Sequence, residues 1–197
     1  MTETIRVFVA IELPEAVRAA LGVAVAEIGG SGARGVRPVK PEGIHLTLKF
    51  LGDIEPAQVC PLTEAMERAA RTVAPFSLRL GDTGVFPGPG ASGPPRVLWV
   101  GVTGQLQPLR ELWTALEAAT TDLGFARDRK VLSPHLTLAR IKDGTPSGDR
   151  EMAVVALSRI QFADDLRIPV DSMGLIRSTL GPEGASYDRV ASARLIG

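Results

Sequence analysis

The sequence predicts an α+β fold of two lobes related by a pseudo-twofold. Each lobe is an antiparallel-rich sheet with helices packed outside, and a cleft lies between the sheets. Three observations predict it. The tetrapeptide His-Leu-Thr-Leu occurs twice, at 45–48 and 135–138, and it holds the only two histidines in 197 residues. The order strand, helix, basic loop, HLTL strand, helix surrounds each copy at nearly the same spacing. Strand-period and helix-period runs alternate along the chain with pairing that reads as partly antiparallel, which favours α+β. Residues 1–197 therefore read as one bilobed domain with an internal repeat over roughly 5–82 and 96–177.

Each repeat opens on a short apolar run, Ile5–Ile11 and then Val97–Val102, rich in Val, Ile and aromatics and read as a buried strand. A helix follows each. Val17, Leu21, Val25 and Ile28 recur at helical spacing in the first, and Leu109, Leu112, Trp113, Leu116 and Leu123 in the second. Pro14 suits a first helical turn, and Gly29-Gly30 and Gly124 suit helix ends. Basic loops come next, with Arg34, Arg37 and Lys40, then Arg127, Arg129 and Lys130, and each leads into an HLTL strand. Further helices are expected over 56–73, with Leu62, Met66 and Ala69 inward, and over 149–158, with Met152, Val155 and Ala156 inward. Strands are expected over 76–80, from 161 or 167 to 176, and over 187–195. The Gly/Pro-rich stretch 84–95 reads as a crossover loop between the halves.

Twenty-two Lys and Arg balance twenty-two Asp and Glu. That excludes a protein that coats polyanions nonspecifically, but not a locally basic phosphate pocket. The lone cysteine, Cys60, has no disulfide or zinc partner and is read as a buried structural thiol. No signal peptide pattern and no apolar run of membrane-spanning length occur, so a cytoplasmic location without a membrane partner is expected. Gly29–Gly35 lacks the Gly-Lys-Ser/Thr ending of a phosphate-binding loop.

On a strand, alternate side chains share a face. His45, Thr47 and Lys49 then face one way and Leu46, Leu48 and Phe50 the other; His135 and Thr137 are likewise opposed to Leu136 and Leu138. Paired histidines suit acid/base work, one neutral imidazole taking a proton while one charged imidazolium gives one, each role contributing ~10²–10⁴ in rate. A hydroxyl two residues away suits a nonbridging oxygen that gains charge in the transition state. Phosphodiester cleavage needs these parts. Zinc would want three or four ligands, and no further His, Cys pair or well-placed carboxylate accompanies either motif, so no metal and no other cofactor is expected.

These residues, with Arg6–Ile11 (RVFVAI), His45–Gly52 (HLTLKFLG), Pro95–Gly101 (PRVLWVG), Ser133–Arg140 (SPHLTLAR) and Ser178–Tyr187 (STLGPEGASY), resemble the LigT/ThpR family of the two-histidine (2H) phosphoesterase superfamily over essentially the whole chain. The resemblance implies an RNA 2′,3′-cyclic phosphodiesterase, historically called a 2′-5′ RNA ligase, that opens a 2′,3′-cyclic phosphate at an RNA or nucleotide end to a 2′-phosphate. It implies His45 as proton donor, His135 as proton acceptor, and Thr47 and Thr137 as phosphate-binding residues, with ligation as the reverse reaction. A monomer is expected.

Secondary candidates for substrate contact are Arg140, Arg96, Phe8, Trp99, Lys49, Ser178 and Tyr187. Arg140 falls on the leucine face by strict alternation and reaches a phosphate only if the strand bulges. Arg96 precedes its strand and is equally a surface arginine. Phe8 and Trp99 are base-stacking or core residues, and Ser178 and Tyr187 flank a Gly-Pro-x-Gly turn. Two rivals remain at this stage: a noncatalytic module for single-stranded RNA or nucleotides, which would not need titrating groups, and a sister 2H enzyme acting on 2′-5′ oligonucleotides.

Overall fold

The computed structural model describes residues 3–129, 131–181 and 184–197; Met1, Thr2, Lys130 of the expected basic loop, and Pro182 and Glu183 of the expected Gly-Pro-x-Gly turn lie outside them. Nine strands and four α-helices are present among the described residues. One antiparallel sheet has the order β3-β1-β8-β9, from β1 (Ile5–Ile11), β3 (Leu46–Ile54), β8 (Ser172–Gly181) and β9 (Gly184–Arg194). The other has the order β2-β6-β5-β4-β7, from β2 (Val36–Pro38), β4 (Phe76–Phe86), β5 (Val97–Gly104), β6 (His135–Ile141) and β7 (Arg167–Val170).

The pseudo-twofold is legible in these orders, since β3-β1-β8-β9 matches β6-β5-β4-β7 strand for strand. Lobes and chain halves do not coincide. The first half supplies β4 to the second sheet, and the second half supplies β8 and β9 to the first. The helices exchange too: α1 (Glu15–Gly29) packs on β6 and on α4 (Ser147–Ser158), while α2 (Val59–Ala70) packs on β8, β9 and α3 (Leu106–Thr121). One contiguous cluster of buried side chains, from Val7 to Leu195, runs through both lobes. No helix among the described residues is long and apolar enough to cross a membrane.

Four expectations need correction. Gly84–Phe86 belong to β4 rather than to the crossover loop. Gly84 lies directly opposite Trp99, and a Cβ there would come within 2.3 Å of the indole, so this glycine admits the ring rather than a turn. Cys60 is exposed on α2, not buried. The buried face of α4 is Ala153, Ala156 and Leu157, whereas Met152 and Val155 are exposed. That face is set at the helix start, where buried Arg150 donates to the carbonyls of Pro95, Lys142 and Thr145. Finally, the expected long strand ending at Ile176 is two strands in different sheets, β7 and β8, with Asp171 between them.

Candidate active site

The two HLTL segments lie in pseudo-equivalent strands, β3 and β6, and both turn into one cleft of about 270 Å³ between the sheets. The leucines anchor them: Leu46, Leu48, Leu136 and Leu138 are all 2% exposed or less. His45, Thr47, His135 and Thr137 line the cleft from opposite sides. Among the described residues neither threonine hydroxyl has a protein hydrogen-bond partner, so both remain available to a ligand. Arg6 and Arg140 also line it, and among the described residues no carboxylate does. In a chain of zero net charge, that makes the cleft a local concentration of positive potential.

The His135 imidazole is held by the carbonyl two residues before it. His135 Nδ1 lies 2.8 Å from the Ser133 carbonyl, which makes Nδ1 the protonated nitrogen and leaves Nε2 for the cleft. The Gly43 backbone, two residues before His45, favours its charged form in the same sense. The surroundings then diverge. His45 stacks on buried Phe8, with ring centroids 4.4 Å apart, and meets the edge of Tyr187 at 5.1 Å. His135 meets Phe86 edge-on at 4.9 Å and borders both the cleft and a neighbouring groove. Burial pushes the His45 imidazole down to about 4; the Gly43 bond opposes this and the Arg140 charge adds to it.

The sequence profile of the LigT-like phosphoesterases matches twice in succession, over residues 11–99 and 100–187. This chain belongs to that family. A relative from Archaeoglobus fulgidus named RNA 2′,3′-cyclic phosphodiesterase is 34% identical over 92% of this chain and 96% of its own length. One of the same name from Geobacillus stearothermophilus is 43% identical over 52% of this chain, which spans only 31% of that longer protein. A crystal structure from Thermus thermophilus superposes with a TM-score of 0.78 at 34% identity, covering 98% of this chain and 99% of that one.

In this member of the LigT-like family a β-bulge re-aims each motif strand one residue past the threonine. Thr47 pairs with Ala10 and Lys49 with Val9, which leaves Leu48 as the extra residue. Thr137 pairs with Trp99 and Ala139 with Leu98, which leaves Leu138 as its counterpart. Strict alternation therefore fails at the same place in both repeats. Arg140 turns into the cleft and meets the condition set for it. Phe50 does the same, 69% exposed and packed against Phe8, although alternation places it in the core.

Lys49 is moved the other way. It is 1% exposed and points toward α3, away from the two threonines, where Nζ lies 2.5 Å from Glu117 Oε1 and 2.9 Å from the Ala126 carbonyl. The other Glu117 oxygen accepts the Asp128 N–H, so the pair ties β3 to the loop leading into β6. A substrate-binding role for Lys49 is thereby replaced by a structural one. Arg96 is not brought to the cleft either; it pairs with Asp143 at 3.0 Å on the surface. Trp99 packs its ring over Gly84 and beside Phe86, its Nε1 is buried without a partner among the described residues, and it meets His135 only edge-on at 6.3 Å. Phe8, by contrast, is buried and stacks beneath His45. Ser178 and Tyr187 both line the cleft, and Tyr187 is seated over Gly43, where a Cβ would come within 2.9 Å of the ring. Sequence reasoning missed Arg6 and Phe50. Alternation from Phe8 points to Arg6, whereas Phe50 depends on the bulge.

Proposed function

We propose that this chain hydrolyses 2′,3′-cyclic phosphates at RNA or nucleotide ends to 2′-phosphates, by acid/base catalysis from His45 and His135 without a metal. The observation that carries the reading is the pair of His-Thr faces, presented from equivalent strands into one arginine-lined cleft. His135 takes a proton from water as its oxygen attacks phosphorus. The P–O3′ bond breaks, and His45 gives its proton to the departing 3′ oxygen. Thr47 and Thr137 donate to the nonbridging oxygens, where negative charge builds. Arg140 and Arg6 balance that charge. With a 5′-hydroxyl in place of the water, the same path joins the cyclic end to it as a 2′-5′ bond, His135 taking the hydroxyl proton and His45 protonating the 3′ oxygen. We take residues 1–197 to act as one domain and as a monomer, with the repeat over 5–82 and 96–177.

One observation favours a second reading in which the two roles are exchanged. An imidazole held down to about 4 enters the empty cleft neutral, as a base rather than an acid. In the first reading the arriving anionic phosphate must draw the proton onto His45.

Product analysis on an RNA ending in a 2′,3′-cyclic phosphate, with a chelator present, tests the proposal. The expected product is the 2′-phosphate. A 3′-phosphate would reassign the leaving oxygen, dependence on added metal would end the metal-free mechanism, and binding without turnover would leave a noncatalytic RNA module.

A further inference from the structure

Beside the histidine cleft lies a second cavity of about 630 Å³. The two are contiguous, because Val39, Gly43, Arg140 and Tyr187 line both. Among the described residues four cations line the second cavity, Arg37, Lys40, Arg140 and Lys142, against a single carboxylate, Glu42. Among the described residues none of the four takes part in an ion pair. Arg37 and Arg140 are direct partners in the β2–β6 ladder. Like charges placed directly opposite each other destabilise a sheet unless something neutralises them. Lys142 follows Arg140 by two residues, beyond buried Ile141. This chain balances its charges overall, yet here the described residues gather four cations at the mouth of the cleft with no ion-pair partner among them.

We infer that this cavity is a second phosphate subsite, which receives the phosphate on the 5′ oxygen of the nucleotide that carries the cyclic end. The inference rests on the proposed activity and narrows its substrate class. The preferred substrate has a 5′-phosphate or phosphodiester, as every polynucleotide end does, rather than a free 5′-hydroxyl. Arg140 stands between the two phosphates and contacts both cavities. Arg37 and Lys142 belong to the second alone, and both are exposed, so their replacement leaves the fold intact.

The test compares three substrates: adenosine 2′,3′-cyclic phosphate with a 5′-hydroxyl, the same nucleotide with a 5′-phosphate, and a short single-stranded RNA with a cyclic end. The wild-type protein is expected to show kcat/KM roughly tenfold higher on the second and third than on the first, as for one charge-assisted phosphate contact. The double variant Arg37→Gln/Lys142→Gln should lose that preference while its rate on the 5′-hydroxyl nucleotide stays within about twofold. Its salt dependence on the RNA should also weaken, the slope falling by ~0.7 for each phosphate that is no longer neutralised. A gain with the RNA but not with the 5′-phosphorylated nucleotide would move the contact to a phosphate further along the strand and overturn the assignment. Equal rates on all three substrates would overturn it too, as would an equal loss on all three in the variant. If no substrate is hydrolysed, the phosphodiesterase reading fails. The subsite is then judged by binding of an RNA ending in a 2′-phosphate, which the double variant should weaken about tenfold; unchanged binding would sink it.

Discussion

His45 and His135 sit in identical tetrapeptides and in unlike surroundings. Buried Phe8 and the edge of Tyr187 close in the first, whereas the second borders an open groove and touches Phe86 edge-on. The same pseudo-symmetric position past the bulge carries Phe50 in one repeat and Arg140 in the other, and the inward residue beside it is Lys49 in one and Ala139 in the other. The comparison separates two jobs. The repeat supplies position, bringing two His-Thr pairs to one cleft, while the residues that differ between the repeats supply inequality. Two histidines that must act as acid and base in a single turnover need that inequality, since identical sites would titrate alike.

The largest expected effect is on turnover. His45→Ala and His135→Ala should each lower kcat by ~10²–10⁴ with the fold retained. On a diester with an activated leaving group such as nitrophenolate, the variant lacking the acid should recover much of its rate and the variant lacking the base should not. Recovery by His135→Ala alone would establish the exchanged roles, and near wild-type turnover by either variant on the cyclic substrate would break the paired mechanism. Next is Lys49→Met, which leaves the Glu117 carboxylate buried without its cation and should cost about 3–5 kcal/mol in denaturant unfolding. The double change Lys49→Met/Glu117→Leu should recover most of this; a single variant as stable as wild type would show that the clamp contributes nothing. Thr47→Val and Thr137→Val should each lower kcat by ~10²–10³, the usual effect of losing one donor to a developing oxyanion. A large asymmetry between them would show that one threonine alone meets that charge.

The smallest effect concerns stability against pH. With its folded pKa at about 4, below the unfolded 6.5, His45 binds a proton more readily when the protein is unfolded. This group leaves stability untouched above pH 6.5 and erodes it as pH falls from 6.5 toward 4. Between pH 7 and pH 5 the wild type should lose about 2 kcal/mol more than His45→Gln in denaturant melts. Equal losses would mean that burial does not hold the His45 imidazole down.

Much of this architecture is legible from period and repetition. The two opening strands, the α1 core positions Val17, Leu21, Val25 and Ile28, and the convergence of both His-Thr pairs follow from alternation, helical spacing and the internal repeat. The exchange of β4 and β8 between lobes is not legible, because strand partners are fixed by packing across the core rather than by local pattern. The bulges are not legible either. Period-2 reasoning assumes an unbroken ladder, and one added residue reverses the face of everything after it. Alternation therefore assigns Lys49 and Phe50 to each other's faces, and it reaches Arg140 only on the condition of a bulge.

The matching bulges at Leu48 and Leu138 also bear on ancestry. An extra residue at the same step of the ladder in both halves is economically explained if it was present before one half was copied from the other. The kink would then be older than the bilobed protein itself. A half-length ancestor would then have built its cleft only by exchanging strands between two copies, because each sheet of this protein draws strands from both halves.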